Sequence, residues 1–471
     1  MSLFTDQPGD EGLPGPRRAL AMAAVMASTL MAVFDGAMIG IALPRMAQSL
    51  NVSAGVAVWF SNAYLLAVSM LLMTFSALAA RAGFRRIFFF GLSLFTLASL
   101  GCALAPSAPV LIAMRVLQGV GGAATLSISP AILRAIFPNR LLGRILGLNA
   151  LLIAASTAVA PVLGGTLLAT LGWQWLFAIN LLPGGLALVL AIKAIPEVQQ
   201  KRAVPFDGAG ALLSAAALGS LIMAATRFSG AARGSHEVSS AVMLWGAAAV
   251  AAAVLFVRHI QRRPHPLLPP VIFASSRFTL AALTSLASFV SQGIAFIALP
   301  FLFQNVYGHS AFSAALLFTP WPLGIMLVAP RAGLLADRYS PAAISTVGLG
   351  IFIVGLALLA ALPAHAGVWD IGLRSLVCGV GFGCFQSPNN REIMGNVVRE
   401  HSGYASGVLA VVRTFGQCLG ASIVGVALAL LASSAAPSME EHAVRLSLWI
   451  AVATSTVAVM FSLGRLRRRP L

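Results

Sequence analysis

The chain has 471 residues, of which 59% are hydrophobic and only 9% charged, and its mean hydropathy is +0.92. A soluble domain averages about 25% charged residues, so a water-exposed fold of this composition would lack polar surface. The net charge of +17 is spread through short loops between apolar runs, a membrane pattern that excludes the nucleic-acid partner a basic soluble domain would imply.

Fourteen apolar runs follow in order, at 19–43, 56–80, 87–105, 110–133, 145–169, 174–195, 208–227, 238–257, 278–302, 312–335, 342–362, 368–387, 403–432 and 443–463. Each is close to the roughly 20 residues that cross a bilayer. They are continuous and rich in Leu and Ala, which predicts helices, because a lipid-exposed backbone must bond within its own segment. A membrane barrel would show short alternating strands instead. The first run continues past Asp35 to Pro44, too long for a signal-peptide core, so it is expected to remain as a membrane helix.

Basic residues set the expected orientation. With the N-terminus inside, the cytoplasmic side gathers Arg17 and Arg18, Arg81 to Arg86, Lys201 and Arg202, Arg258 to Arg263, Arg399 and Arg465 to Arg469. The opposite side holds Arg45, Arg227, Arg233 and Arg445, and Arg115, Arg374 and Arg413 lie within the membrane. Both termini are therefore expected in the cytoplasm.

The chain also repeats itself. Ile41-Ala42-Leu43-Pro44 returns as Ile297-Ala298-Leu299-Pro300, offset by 256; Leu78-Ala79-Ala80-Arg81 matches Leu335-Ala336-Asp337-Arg338 at 257; Gly119-Val120-Gly121 matches Gly379-Val380-Gly381 at 260. Three matches in order at nearly one offset predict two pseudo-symmetric six-helix bundles with segments seven and eight inserted between them. Such repeats enclose a transport site at their interface. The expected organisation is a tail at 1–18, bundles at 19–196 and 271–464, an insertion with linkers at 197–270, and a basic tail at 465–471. Cys102, Cys378, Cys384 and Cys418 lie inside apolar runs and fit packing roles. The histidines, His365 among them, lie in or near loops, so no metal site is expected.

With these motifs the chain resembles the fourteen-helix drug:proton antiporter branch of the major facilitator superfamily. Phe34-Asp35-Gly36 with Ile41-Ala42-Leu43-Pro44 is similar to its first-helix motif, and Arg115-Val116-Leu117-Gln118-Gly119-Val120-Gly121-Gly122-Ala123 matches the fourth-helix motif. Ala160-Pro161-Val162-Leu163-Gly164-Gly165 resembles the fifth-helix antiporter motif, with Ala160 where Gly is usual. The loop motif after helix two is kept as Arg81, Gly83 and Arg85 but lacks its Asp, which is Ala80; the second copy keeps Asp337 and Arg338. The resemblance implies proton-driven export of amphiphilic or cationic molecules across the inner membrane, by a monomer that uses the proton gradient and no cofactor. Its partners would be such molecules, protons and membrane lipid. Export of one endogenous metabolite is the alternative within transport. A non-transporting sensor or scaffold, the alternative from another class, would not need a lone buried acid.

That acid is Asp35, the one acidic residue deep in an apolar run; an intramembrane carboxylate is functional by default. Asp35 lies nine residues before Pro44 and Arg115 nine after Pro106, which sets both about 13 Å deep and predicts a proton-coupling pair. The alternatives are a neutral acid bonded to a carbonyl and an arginine that caps helix carbonyls. The second half carries Ser291 at the position of Asp35. Gly119, Gly121, Gly122, Pro161, Gly164 and Gly165 fit close helix approach and bending, or ordinary small-residue packing. A substrate cavity is expected from Asn62, Tyr64, Gln118, Gln292, Phe296, Trp321, Gln386, Asn389 and Asn390. Gln386-Ser387-Pro388-Asn389-Asn390 reads as polar groups and a breaker at a helix end or the start of a loop. Aromatic walls around Asp35 would favour a flat lipophilic cation.

Overall fold

The computed structural model describes residues 3–4, 6, 10, 12–196, 205–231, 236–363, 366–398, 401–431 and 437–466. The expectations for Lys201, Arg202, Arg233, His365, Arg399 and 467–471 lie outside the described residues.

Among these residues fourteen helices are long and apolar enough to cross a membrane. The first six are α1 (Gly15–Ser49), α2 (Ala54–Ala82), α3 (Phe84–Ala103), α4 (Ala108–Ile136), α5 (Gly147–Thr170) and α6 (Trp175–Ala194). The next two are α7 (Gly208–Phe228) and α8 (Ser240–Arg262). The last six are α9 (Ser276–Val306), α10 (Ala311–Arg338), α11 (Pro341–Ala360), α12 (Val368–Gly395), α13 (Ser402–Leu431) and α14 (Ser438–Leu466). The stops have local causes. Gly83, at φ +94°, makes the turn between α2 and α3 that a side chain would resist. Ser53 and Ser310 cap helix starts through their hydroxyls.

The packing is two-fold. α1 lies on α5 and α6 as α9 lies on α13 and α14; α4 sits against α2 and α3 as α12 sits against α10 and α11. The halves meet through α2 with α13, through its symmetry mate α5 with α10, and through α1 with α9. α7 leans on α2 and α13 from outside, and α8 chiefly on α7. α8 is accordingly the helix least enclosed by protein. Asp207 ties this pair down: it meets His259 Nε2 at 2.6 Å and accepts the amides of Gly210 at 2.9 Å and Leu267 at 3.0 Å. Burial raises the pKa of Asp207, but the bonds from Gly210, Leu267 and His259 outweigh it and hold the carboxyl below its ordinary range.

Three sequence expectations need correction. α1 begins at Gly15, not after residue 18, and Arg18 is buried; it donates to Leu13 O, Leu3 O and Asp6. α12 neither ends nor loops at Pro388 but runs through it to Gly395, so Glu392 is a second buried acid, 3.5 Å from Arg277. Arg465 belongs to α14 rather than a tail; it is fully buried and donates to Asn389 Oδ1 at 2.6 Å. In each case the polar group finds protein partners that a hydropathy profile cannot see.

Candidate functional site in the two-fold bundle

Asp35 on α1 and Arg115 on α4 meet in the first half, both fully buried, with Arg115 Nη1 2.5 Å from Asp35 Oδ2. Gln118, one turn after Arg115, completes the set. Its Nε2 donates to Asp35 Oδ1 at 2.9 Å and to Ser99 Oγ of α3 at 2.9 Å, and its Oε1 accepts from Arg115 Nη1 at 2.6 Å. Arg115 Nε donates to the Phe60 carbonyl of α2 at 2.6 Å. The arginine thus both pairs with the acid and caps a helix carbonyl. Its guanidinium lies 4.6 Å from the centre of the Tyr64 ring and 5.6 Å from that of Phe177. Each such contact is worth about 0.5–2 kcal/mol, which offsets part of the penalty of burying the charge.

The glycine motif makes this geometry possible. A Cβ on Gly119 would meet the Tyr64 carbonyl at 2.7 Å, and one on Gly122 would meet the Tyr64 hydroxyl at 2.9 Å. Only glycines there let α4 approach α2 closely enough for Tyr64 to lie beneath Arg115. Gly121 packs in the same way on the backbone of Gly91 and Phe95 of α3.

Both oxygens of Asp35 are therefore occupied, and the expected free anion for a cationic substrate is not offered in this conformation. Several expected cavity residues are likewise engaged elsewhere. Asn62 is buried at the seam between halves, donating to Ser422 Oγ at 2.6 Å. Tyr64 and Gln118 are buried within the acid network. Trp321 is fully buried in an aromatic core, 5.4 Å from Phe296 and 5.7 Å from Phe352. Asn389 clamps α9, donating to Ala281 O and Ser285 Oγ while it accepts from Arg465. Gln292 is mostly buried and accepts from Gln417 of α13 at 3.0 Å. Phe296, Gln386 and Asn390 stay half-buried. Hydropathy finds polar residues in a helix but not the face they occupy.

The remaining motif residues sit at helix ends and seams. Arg81 and Arg338 are exposed, and Arg85 donates to the Ile192 carbonyl at 2.7 Å. Asp337 pairs with Arg391 of α12 rather than with its neighbour Arg338. Pro161 lies inside α5. Gly164 faces Met38 of α1, and a Cβ on Gly165 would meet Ala315 of α10 at 2.8 Å. Asp370 and Arg374 form the expected pair at 2.8 Å.

Contacts that join the halves stand at the end of the molecule carrying Pro44 and Pro300 and continue along α2 and α13, where Gly407 faces Met73. Gln304 donates to the Ile41 carbonyl at 2.8 Å, and Gly40 lies against the Phe296 carbonyl. Gly55 lies against Gly425, and Gly165 against Ala311 and Phe312. Ser99, Arg391 and Gln417 were not singled out by sequence reasoning. For Arg391 a signal existed: it stands 257 residues after Arg134, the repeat's own offset.

A model of the Major Facilitator Superfamily matches residues 25–421. The chain is 40% identical over 419 residues to an uncharacterized transporter, YebQ of Escherichia coli (strain K12), covering 89% of this chain and 91% of that protein. It is 31% identical over 425 residues to the multidrug resistance protein Stp of Mycobacterium tuberculosis, covering 90% and 78%. Among solved structures, an auto-inhibited POT family peptide transporter superposes with a TM-score of 0.71 at 15% identity, covering 96% and 98%, a likeness of fold alone.

Proposed function

Because the chain belongs to the Major Facilitator Superfamily, whose members are transporters rather than enzymes, we propose that it exports amphiphilic small molecules by alternating access, coupled to protons at Asp35. The multidrug resistance relative supports the direction and the substrate type. The closed network around Asp35 supports the coupling site. A proton on Asp35 would cancel the charge that holds Arg115 Nη1, while Arg115 keeps the Phe60 carbonyl, Gln118 and the Tyr64 ring. α1 would then be held less tightly to α4. The same helix carries Gly40 and Ile41, five and six residues on, which form the seam with α9. Loosening α1 is thus a route from protonation to parting of the halves, through a difference in binding between two states. With both termini in the cytoplasm, as the basic loops imply, the end carrying Pro44 and Pro300 would lie on the outer side of a bacterial inner membrane.

The observation that carries this proposal is that both oxygens of Asp35 are bound by Arg115 and Gln118. The test is Asp35→Asn in proteoliposomes with an imposed ΔpH. Uphill export should vanish while substrate binding remains measurable. An Asn variant that still concentrates substrate would remove Asp35 as the coupling site.

A further inference from the structure

Arg413 is the intramembrane charge that the network leaves out. It lies eleven residues into α13, about 16 Å from the start of the helix and near the middle of a roughly 30 Å hydrocarbon core. Placing an arginine there costs about 2.5–3.5 kcal/mol on insertion scales, so an unpaired one calls for a role. It makes no hydrogen bond or ion pair with any described residue, and the titratable group in its electrostatic reach is Tyr64 of the opposite half. Asp35 cannot serve it, since Arg115 and Gln118 hold both carboxylate oxygens. Glu392 lies beside Arg277 instead.

The helix face that carries Arg413 shows where its side chain emerges. Arg413, Gln417, Val424 and Leu428 are spaced by four, seven and four residues and share one face. Val424 and Leu428 are fully buried, on the closed side of the molecule. Arg413 and Gln417 are half-buried, and so is Ala410 one turn below. Gln417 reaches Gln292 of α9, which places this face toward the middle of the bundle rather than toward lipid. The face is therefore fully enclosed above Arg413 and only partly enclosed at and below it, where Ala410 packs beside the Tyr64 cluster of the first half. The half-buried ring of Phe296 lies one turn of α9 beyond Gln292.

We infer that Arg413 is the substrate's counter-charge, and that the exported molecules are amphiphilic organic anions whose carboxylate, sulfonate or phosphate group binds its guanidinium beside Gln417. This rests on the export reading above and names its substrate class. The charges around it favour this: Asp35 and Arg115 cancel, Arg277 faces Glu392, and no carboxylate among the described residues stands against Arg413. A guanidinium offers a fork of donors that matches such oxyanions. An aromatic body would pack on the apolar surface beyond.

The test uses two dyes with the same xanthene frame and opposite charge, fluorescein as the anion and rhodamine 123 as the cation, on the purified full-length protein. Equilibrium dialysis should show tighter binding of fluorescein. Arg413→Gln should weaken fluorescein at least about tenfold, as expected for loss of a hydrogen-bonded charge, and leave rhodamine 123 unchanged or tighter. Arg413→Lys should restore part of the fluorescein affinity. No binding of fluorescein by the wild type, equal loss of both dyes, or a Lys variant as poor as the Gln variant would overturn the inference. Failure of uphill fluorescein export in proteoliposomes with this binding pattern intact would instead refute the export reading and leave the anion site standing.

Discussion

Tyr64 and Trp321 stand at corresponding positions of the two halves, 257 residues apart, and each meets a phenylalanine of the next helix edge-on. The pairs are Tyr64 with Phe95 at 6.4 Å and Trp321 with Phe352 at 5.7 Å. The glycines beneath them correspond as well. Gly119 faces the Tyr64 carbonyl and Gly379 the Trp321 carbonyl; Gly121 faces Gly91 and Phe95 as Gly381 faces Gly348 and Phe352. The backbone frame is thus shared, and the chemistry it holds is not. The first half places Asp35, Arg115 and Gln118 where the second has Ser291, Ser375 and Cys378. Among the described residues Ser291 bonds only to Ala287 O and Thr454 Oγ1, and the hydroxyl of Ser375 has no partner. Aromatic rings run through this half instead, Trp321 against Phe352, Phe352 against Phe382, and Phe382 against Phe289 and Phe385. A duplicated scaffold can therefore keep its helix packing while one copy carries a buried ion pair at these positions and the other packs aromatic rings.

The largest expected effect tests that asymmetry. Arg115→Leu strands a buried carboxylate and should cost about 3–5 kcal/mol, whereas Ser375→Ala at the matching position should stay under about 1 kcal/mol. Apparent melting temperatures in detergent would show it; similar shifts for the two would erase the contrast. Adding Asp35→Leu to Arg115→Leu should recover part of the loss, because the two charges leave together.

The shared frame predicts a second, intermediate effect. Gly119→Ala and Gly379→Ala should each cost about 1–3 kcal/mol, since backbone stands where the methyl would go. Gly147→Ala, with open space around it, serves as the control. A tolerant Gly119 beside an intolerant Gly379 would show that the halves differ in packing as well as in charge.

The exposed ends of the repeat give a smaller effect. Asp337 pairs with Arg391, while Ala80 leaves the corresponding Arg134 without that acid. Arg391→Ala should lower stability by at most about 1 kcal/mol and Arg134→Ala should change nothing measurable. Ala80→Asp should make Arg134→Ala costly in turn, a dependence that thermal unfolding of the double variant reads directly.

The smallest effect lies outside both halves, at the clasp of Asp207 on the inserted pair. Its carboxyl is held below the ordinary range, so its contribution is complete above the unfolded value of about 3.9 and fades as pH falls through the lower folded value. Hydrogen exchange of the Gly210 and Leu267 amides, corrected for intrinsic rate, should stay slow down to about pH 4 and quicken only below it. Asp207→Asn should expose the Leu267 amide at neutral pH. Onset of exchange well above pH 4 would mean that Asp207 does not hold the clasp.

The sequence alone determined the membrane class, the fourteen spans, the six-plus-two-plus-six plan and the pairing of Asp35 with Arg115. Each depends on quantities that run along the chain: hydropathy, the repeat offset, and depth counted at a fixed rise per residue from flanking prolines. The tertiary structure decided what depends on helix rotation and on neighbours far away in sequence. It turned Trp321 into the second half's core, made Asn62 and Asn389 clamps rather than cavity walls, carried α12 through Pro388, and left Arg413 without a partner among the described residues. A polar side chain in a hydrophobic run must be satisfied by something, and only the packed bundle shows whether that is another helix, a carbonyl, or a space that a substrate can enter.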